Sequence, residues 1–598
     1  MSENAEKAVW NENGIWWEPE EVKRREEDGK MSAAWEVKTG GERMTDAERK
    51  TAGELKMEQP GEPQKLQNHF RFFGPATALY ALFYAFCMYK NGSGITFPFF
   101  LAGSIYYFCS SMKRLGLTLK KGSVFYMAGM MLLAISTFCT DDGKIIALNK
   151  TGVFLLMISF LLKQFLRTEQ WRLGKYFSAM MTLLFYSIGE LPQVWLDAIE
   201  YSKKRKAGGG RKVGYVLLGL LIAAPLSLIV LVLLSSADAV FRQWTDTLIS
   251  ELYFGNLFGV LLWIVLWYFG VYMILSALCK KVVREDVKDR RNGEPLLAIT
   301  VTGMLSLLYL IFSVIQIVYL FLGNMSLPKG YTYAEYAREG FFQLLAVSII
   351  NLIIVLFCMS YFRESTVLKG VLTVMSLCTF IMIASSALRM IIYIRYYYLT
   401  FLRILVLWSL ATLFLLFAGV VISIYREEFP LFRYGMTVVS VLYLALSFAH
   451  PDYWIAKVNI ANAPQSMEAA EKFWNGTGQW KVSGENFFQA SEPYQDFRYL
   501  SDLSADAAPV LIPYMERLGY DFRVFNSTPP EGVKYFGFWD RVERYTGRNA
   551  AGRGRPEGFG YYYLKYLSEC TEDMGIRSFN VSRYMAGRMA EKLGGGAR

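Results

Sequence analysis

One uninterrupted apolar run, Val213–Ala237, constrains the fold of this 598-residue chain more than any other feature. It reads VGYVLLGLLIAAPLSLIVLVLLSSA, and it carries no charged residue from Val213 to Leu234. A bilayer core is about 30 Å thick and a helix rises about 1.5 Å per residue, so roughly 20 apolar residues span it. The run is therefore predicted to be a transmembrane helix.

Other apolar segments repeat this pattern, and the composition agrees, with 53% hydrophobic and 16% aromatic residues. The fold class expected is an all-α polytopic integral membrane protein with about eleven transmembrane helices. The predicted spans are about 72–89, 95–112, 122–140, 145–166, 213–237, 254–279, 296–323, 340–361, 367–388, 400–425 and 431–449.

The basic charge of the chain lies in its apolar middle. The net charge is +11, but acidic residues outnumber basic ones in residues 1–70, and the two kinds balance in residues 450–598. The excess of Lys and Arg therefore falls in residues 71–449, in short connections of the kind that face cytoplasmic anionic lipid. Nucleic acid is not an expected partner, because the two regions predicted outside the bilayer are acidic and neutral.

The loop charges also assign an orientation. Lys and Arg cluster at 113–121, 163–175, 203–212 and 280–291. The positive-inside rule makes these loops cytoplasmic, and both flanks of segment 176–202 are then inside. Because this segment is too short to cross twice, it is predicted to be a re-entrant or interfacial helix. The N-terminus is then cytoplasmic and the C-terminus extracytoplasmic, unless a twelfth span returns the tail to the inside.

Three regions follow from this pattern. Residues 1–70 are predicted to be a disordered charged tail, residues 71–449 the multi-span domain, and residues 450–598 a small, mostly helical soluble region. Helical periodicity supports the last assignment, at Leu500, Leu503, Ala507, Leu511, Tyr514 and Leu518 and again in Tyr561–Met589.

No cofactor or metal site is expected. The chain has two histidines, His69 and His450, and all of its seven cysteines except Cys570 lie in apolar segments. It contains no CxxC or HExxH motif, so a zinc or haem site has few possible ligands.

Three connections rich in polar residues, 235–241, 331–344 and 388–403, lie on the predicted outer side. Charges at a membrane edge are costly unless they are paired or hydrated, so their convergence would mark a functional site. Loop ion pairs and snorkelling arginines are the alternative interpretation. The candidate outer-face residues are Asp238, Glu335, Arg338, Glu339, Arg389, Arg395 and Arg403.

Two pairs of polar residues have a more specific interpretation. Glu335 and Glu339 share a helix face, where they suit either acid–base chemistry or an ordinary helix N-terminus. Gln316 and Asn351 lie in the middle of predicted spans, where an interhelical hydrogen bond is favoured over a permeation site.

Several motifs together resemble a bacterial family. They are SADAVF (236–241), YTYAEYAREGFFQLL (331–345), SALRMIIYI (386–394), HPDYWIAKVNI (450–460) and YLSDLSADAAPVL (499–511). These stretches are similar to the membrane proteins of domain of unknown function 4173, a family with a relative numbered 4153. The resemblance implies a multi-span bacterial membrane protein, and it implies no activity, substrate or catalytic residue.

The leading hypothesis is an envelope-associated scaffold, sensor or assembly factor that displays a C-terminal domain outside the cell membrane. The expected partners are the lipid bilayer and either envelope proteins or a lipid-linked substrate. One alternative is a membrane transferase that acts on lipid-linked substrates at the outer face, with Asp238 or Glu335 as acid or base. Another is a transporter. Whether the protein is an enzyme stays open at this point.

Overall fold

The computed structural model describes most of the chain from residue 66 onward and two short segments before it. Residues 1–62 and 63–598 form separate compact units. In the first unit, β1 (Val9–Trp10) pairs antiparallel with β2 (Trp16–Trp17). The described ranges are 9–10, 16–17, 66–204 without 167, 169, 170 and 172, isolated positions 219, 223, 227 and 230, then 233–243, 255–280, 291–318, 340–461 without 427, 497–517, 563–570 and 574–593.

The first group of helices packs around one apolar core. Local sequence sets several of the boundaries: the Asp142 carboxylate accepts the Lys144 N–H at 2.9 Å and so caps the fourth helix. The helices are α1 (Phe70–Met88), α2 (Thr96–Arg114), α3 (Ser123–Cys139), α4 (Gly143–Phe165), α5 (Leu173–Gly189), α6 (Gln193–Lys204) and α7 (Gly255–Cys279).

A second group of helices encloses its own apolar core. It consists of α8 (Pro295–Gln316), α9 (Phe341–Tyr361), α10 (Thr366–Tyr397) and α11 (Phe401–Tyr425), and α12 (Leu431–Phe448) packs on both α11 and α3. Small residues let these helices approach closely. A Cβ on Gly419 would clash with the Tyr434 ring of α12.

The C-terminal part folds over one end of the helices with an apolar core of its own. We call its described segments the cap: α13 (Pro451–Ala461), α14 (Phe497–Ser501), the 3-10 turn Ala505–Ala507, α15 (Ala508–Arg517), α16 (563–570), the loop 574–580 and α17 (Val581–Leu593). The predicted periodic positions Leu500, Leu503, Ala507, Leu511 and Tyr514 are all buried there.

Seven of the described helices are long and apolar enough to cross a membrane, and the shorter apolar α3 lies among them. The protein is therefore a multi-pass helical membrane protein in a lipid bilayer environment. The seven are Gly143–Phe165, Gly259–Cys279, Pro295–Gln316, Phe341–Tyr361, Thr366–Arg395, Phe401–Tyr425 and Leu431–Phe448. The predicted span 213–237 lies largely outside the described residues, although 233–237 are helical.

The α5–α6 hairpin lies at the end of the helices opposite the cap. At its start, the Tyr176 hydroxyl donates to the Ser159 carbonyl at 3.0 Å, and its ring stacks on Phe432 at the beginning of α12. At its turn, Glu190 pairs with Lys280, just after α7, at 2.7 Å. Both contacts lie far from the cap, as the predicted re-entrant or interfacial segment 176–202 requires, while its number of crossings stays a prediction.

One predicted boundary is wrong. The segment 388–403 was expected to connect two spans, but α10 continues to Tyr397, so Arg389 and Arg395 lie on the helix itself. The Arg389 guanidinium is nearly buried and donates to Gln316 Oε1 at 3.3 Å. Because this charge has a partner within the protein, the helix extends past the point where the apolar pattern ends.

Candidate functional site

The cap is joined to the helices by a buried acidic cluster at the α3–α4 turn. Two of its carboxylates, Asp141 and Asp142, come from that turn, and two, Asp452 and Asp506, come from the cap. All four residues are almost fully buried. We call these four aspartates, with His450 and Arg583, the clasp.

Asp506 is the most fully bonded member of the clasp. Its Oδ1 accepts the Asp141 N–H at 2.9 Å, and its Oδ2 accepts the Thr140 hydroxyl and lies 3.0 Å from His450 Nδ1. Burial opposes ionisation, but hydrogen bonds from His450, Ser582 and Thr140 hold the pKa of Asp506 below its usual range. The same hydrogen bond raises the pKa of His450 above its usual value, against the effect of burial.

Asp141 provides a second link between the turn and the cap. Its Oδ1 forms an ion pair with Arg583 Nε of α17. Its Oδ2 accepts the Tyr566 hydroxyl from α16 and the Ala505 N–H at 3.3 Å. This one carboxylate therefore contacts three separate parts of the cap, and its charge is balanced by that of the guanidinium.

Asp142 and Asp452 form the incompletely bonded part of the clasp. Asp142 Oδ1 accepts the Lys144 N–H and Asp452 Oδ2 accepts the Ser504 N–H at 2.9 Å. Asp142 Oδ2 and Asp452 Oδ1 are buried and accept no hydrogen bond from the described residues. Burial, followed by the nearby charge of Asp452, raises the pKa of Asp142 to about 7. Burial also raises the pKa of Asp452, although the Lys144 charge and Ser504 oppose it.

Burial and the charges of neighbouring carboxylates favour the protonated form of Asp142 and Asp452. Two buried carboxylates that share a site cannot both ionise without a large electrostatic cost, and Lys144 is exposed. A single proton removes one charge and supplies a donor for one bare oxygen. Within the described ranges, no group of three His, Cys, Asp or Glu side chains has the arrangement of a metal site.

A polar network continues from the clasp toward the middle of the helices. Asn149 of α4 is fully buried and accepts hydroxyl hydrogen bonds from Tyr443 and Ser447 of α12, both at 2.7 Å. Its amide donates to Ser136 and Thr137 of α3 at 3.3 and 3.1 Å. The helices beneath the clasp are thus joined by side-chain hydrogen bonds as well as by apolar packing.

His450 has a strained backbone at the junction of α12 and the cap. Its φ of 48° lies in the left-handed region, which residues with a side chain adopt at a cost. The hydrogen bond to Asp506 holds the imidazole in place, and its side chain is 36% exposed. Imidazole backed by a buried carboxylate and open to solvent is an arrangement suited to proton transfer.

The sequence profile of a family described as Domain of unknown function (DUF4153) matches residues 127–514. The chain belongs to this family. No curated protein and no solved structure matches the chain. The DUF4153 match takes in the four clasp aspartates and His450, whereas Arg583 lies beyond it. Membership of family 4173, which the motifs also resemble, stays a prediction.

The structure places three of the candidate outer-face residues on helices: Arg389 and Arg395 on α10 and Arg403 on α11. Arg389 and Ser385 both donate to Gln316 Oε1, the latter at 2.6 Å. Arg403 donates to the Tyr398 carbonyl and lies over the Tyr393 ring, 4.3 Å from its centroid.

The remaining candidates are not brought together among the described residues. Asp238 is exposed and accepts the Phe241 N–H at 2.7 Å, and no described ion pair joins it to Arg389, Arg395 or Arg403. Glu335, Arg338 and Glu339 lie outside the described residues. Their convergence at one site stays a prediction.

Asn351 has the interhelical hydrogen bond that was favoured for it. Its Nδ2 donates to Thr379 Oγ1 of α10 at 3.0 Å, and the residue is fully buried. Gln316 likewise bridges α8 and α10 through Ser385. Both amides therefore join neighbouring helices.

Sequence reasoning missed the clasp itself. Its aspartates and His450 lie in motifs that carried the family resemblance, HPDYWIAKVNI and YLSDLSADAAPVL, and in the connection 141–144 between two predicted spans, while Arg583 lies in none of these segments. A signal was present, since both motifs and that turn contain aspartate next to an apolar helix. The missing information was which of these segments meet.

Proposed function

We propose that this protein is an envelope membrane protein of the sensor class, whose cap is held on the helical bundle by a clasp that binds a proton. The observation that carries the proposal is the buried pair Asp142–Asp452, which lies between the bundle and the cap with one bare oxygen on each side chain. A change in its proton occupancy alters how firmly the two parts are held together.

The sign of the response follows from the pKa shifts. Asp142 has its pKa raised above the unfolded value, so it favours docking at low pH and loses that contribution as pH rises from about 4 to about 7. The raised pKa of His450 acts in the same direction, because its contribution is present below about 6.5 and is lost above its folded pKa. We expect the cap to be held more tightly in mildly acidic surroundings.

Hydrogen–deuterium exchange tests this response. Corrected for the intrinsic rate, amides in 137–145, 450–461 and 500–508 are expected to exchange more slowly at about pH 5 than at about pH 8. In Asp142→Asn, protection of these segments is expected to be high at both values. If the wild-type segments were equally protected at the two pH values, the sensor function would be excluded and a static scaffold function would be favoured.

We also propose eleven crossings, with the N-terminus cytoplasmic and the cap outside the cell membrane. This is supported by the alternation of helix ends: α1 begins opposite the cap, α12 ends at it, and the α5–α6 hairpin keeps both ends on the opposite side. The described basic loop 113–121 lies at that opposite side, where Lys120 donates to the Leu166 carbonyl after α4. A Glu569→Cys variant, on an exposed position of α16, should react with a membrane-impermeant maleimide on intact protoplasts. Labelling only after lysis would reverse the assignment.

A transferase that acts on a lipid-linked substrate at the outer face is the second candidate, and the His450–Asp506 pair favours it. Imidazole Nδ1 held by a buried carboxylate leaves Nε2 for acid–base work. His450→Gln would then retain folding and membrane level but lose activity by about 10²–10⁴-fold. Full rescue of a deletion strain by His450→Gln would exclude this role.

A further inference from the structure

The cap loop 574–580 presents one large apolar side chain at the edge of the bundle. Ile576 is 92% exposed, more than any other large apolar residue described. An isolated exposed isoleucine on a loose loop would be unremarkable in itself. This one lies on a loop that is firmly held.

Hydrogen bonds attach the loop to the α1–α2 turn at the residues that follow Ile576. Asn91 Nδ2 donates to the Arg577 carbonyl at 2.7 Å, and the Ile95 N–H donates to the Phe579 carbonyl at 2.9 Å. A Cβ on Gly94 would clash with the same Arg577 carbonyl, so the turn and the loop are in close backbone contact. The segment that directly follows Ile576 is therefore held beside the end of α1.

The neighbouring face of α1 is exposed and apolar up to its last turn. Leu79, Leu82 and Phe86 are 70, 52 and 60% exposed and follow one another at helical spacing. On a helix of a multi-pass membrane protein, such a row faces lipid. Arg577 reaches its end, where the guanidinium donates to the Tyr89 carbonyl at 2.8 Å and lies 5.5 Å from the Phe86 ring centroid.

Two of the described residues at this level, Lys90 and Arg577, carry positive charge. Lys90 follows Tyr89 at the end of α1 and is exposed, and Arg577 is exposed beside it. Aromatic and basic residues are enriched where a transmembrane segment meets the headgroups, since their apolar parts enter lipid while their charges meet phosphate. The loop thus extends the lipid-facing surface of α1. It adds the apolar side chain of Ile576, with the cations Arg577 and Lys90 nearby.

We propose that the loop 574–580 is an interfacial anchor, in which Ile576 inserts between lipid headgroups while Arg577 and Lys90 bind the phosphates of anionic lipid. The partner is the bilayer that surrounds the bundle. This inference does not depend on the sensor function, because it concerns the edge of the cap rather than the clasp.

Electron paramagnetic resonance tests the insertion. The full chain, with native cysteines replaced by serine, carries a nitroxide at Ile576→Cys and is reconstituted in vesicles of phosphatidylglycerol and phosphatidylcholine. We expect the label to collide more often with oxygen than with a water-soluble nickel chelate, and the converse for the matched control Glu569→Cys, whose side chain is 63% exposed. Equal nickel accessibility at the two positions would overturn the insertion.

A second measurement needs no cysteine replacement. The double variant Lys90→Gln with Arg577→Gln is expected to retain several-fold less phosphatidylglycerol on purification than the wild type, while Arg588→Gln, exposed on α17, retains as much. If the double variant retained as much phosphatidylglycerol as the wild type, the phosphate contact would be overturned, whatever the resonance signal at Ile576.

Discussion

Replacing Asp142 by asparagine should stabilise the protein at neutral pH. The substitution keeps the side-chain oxygen that accepts the Lys144 N–H, and its neutral amide does not repel the nearby Asp452 carboxylate. Asparagine therefore imitates the protonated carboxyl, and we expect the stability of the variant to be independent of the proton that the wild type must bind.

The size of the effect follows from the pKa. A value of about 7, against 3.8 for an ordinary aspartate, is a difference of roughly three units. At about 1.4 kcal/mol per unit, ionising Asp142 in the folded protein costs at most about 4 kcal/mol. Local structural adjustment around the charge reduces this, so we expect a gain of about 1–2 kcal/mol at about pH 8 and almost none at about pH 5.

Thermal unfolding in detergent, followed with a thiol-reactive fluorescent dye, measures the change. Buried thiols such as Cys87, Cys358 and Cys378 react only on unfolding. Asp452→Asn should give the same gain, and the double variant should add little to either, because one proton serves both side chains. If Asp142→Asn were less stable than the wild type at about pH 8, by as much as at about pH 5, the shared proton would be refuted.

Three further changes test the clasp and its surroundings. Asp506→Asn should cost about 2–4 kcal/mol at neutral pH, since it weakens charge-assisted hydrogen bonds to a buried group, and unfolding of the variant should respond less to acid below about pH 4. Gly94→Ala should loosen the cap, measured as faster proteolysis of its C-terminal helices, whereas Gly143→Ala, with no atom near its Cβ, should not. Asn149→Ala should cost about 3 kcal/mol in thermal unfolding, while Thr151→Ala, on the exposed side of the same helix, should cost less than about 1 kcal/mol.

Local patterns predicted much of the architecture. Apolar length identified the membrane helices, and period-3.6 spacing predicted the buried positions Leu500, Leu503 and Leu511 of the cap. These features depend on residues within one helix, so the local sequence contains the information needed to predict them. The extension of α10 was missed because it depends on a partner, Gln316, from another helix.

The clasp could not be predicted in the same way. Asp141 and Asp142 look like solvated turn residues, and Asp506 lies in a small-residue turn that resembles a helix start. Their burial results from contacts over long separations, such as 365 positions between Asp141 and Asp506. Periodicity carries no information about which turn meets which segment, so the carboxylates were indistinguishable from exposed ones.

The order in which the clasp residues are synthesised has a consequence for biogenesis. Asp141 enters the membrane-inserted chain early, but its ion-pair partner Arg583 is made 442 positions later. Until Arg583 has been synthesised, the α3–α4 turn lacks this partner and its carboxylates must stay hydrated. Closure of the cap over the turn therefore follows insertion of the helices that carry it, rather than accompanying it.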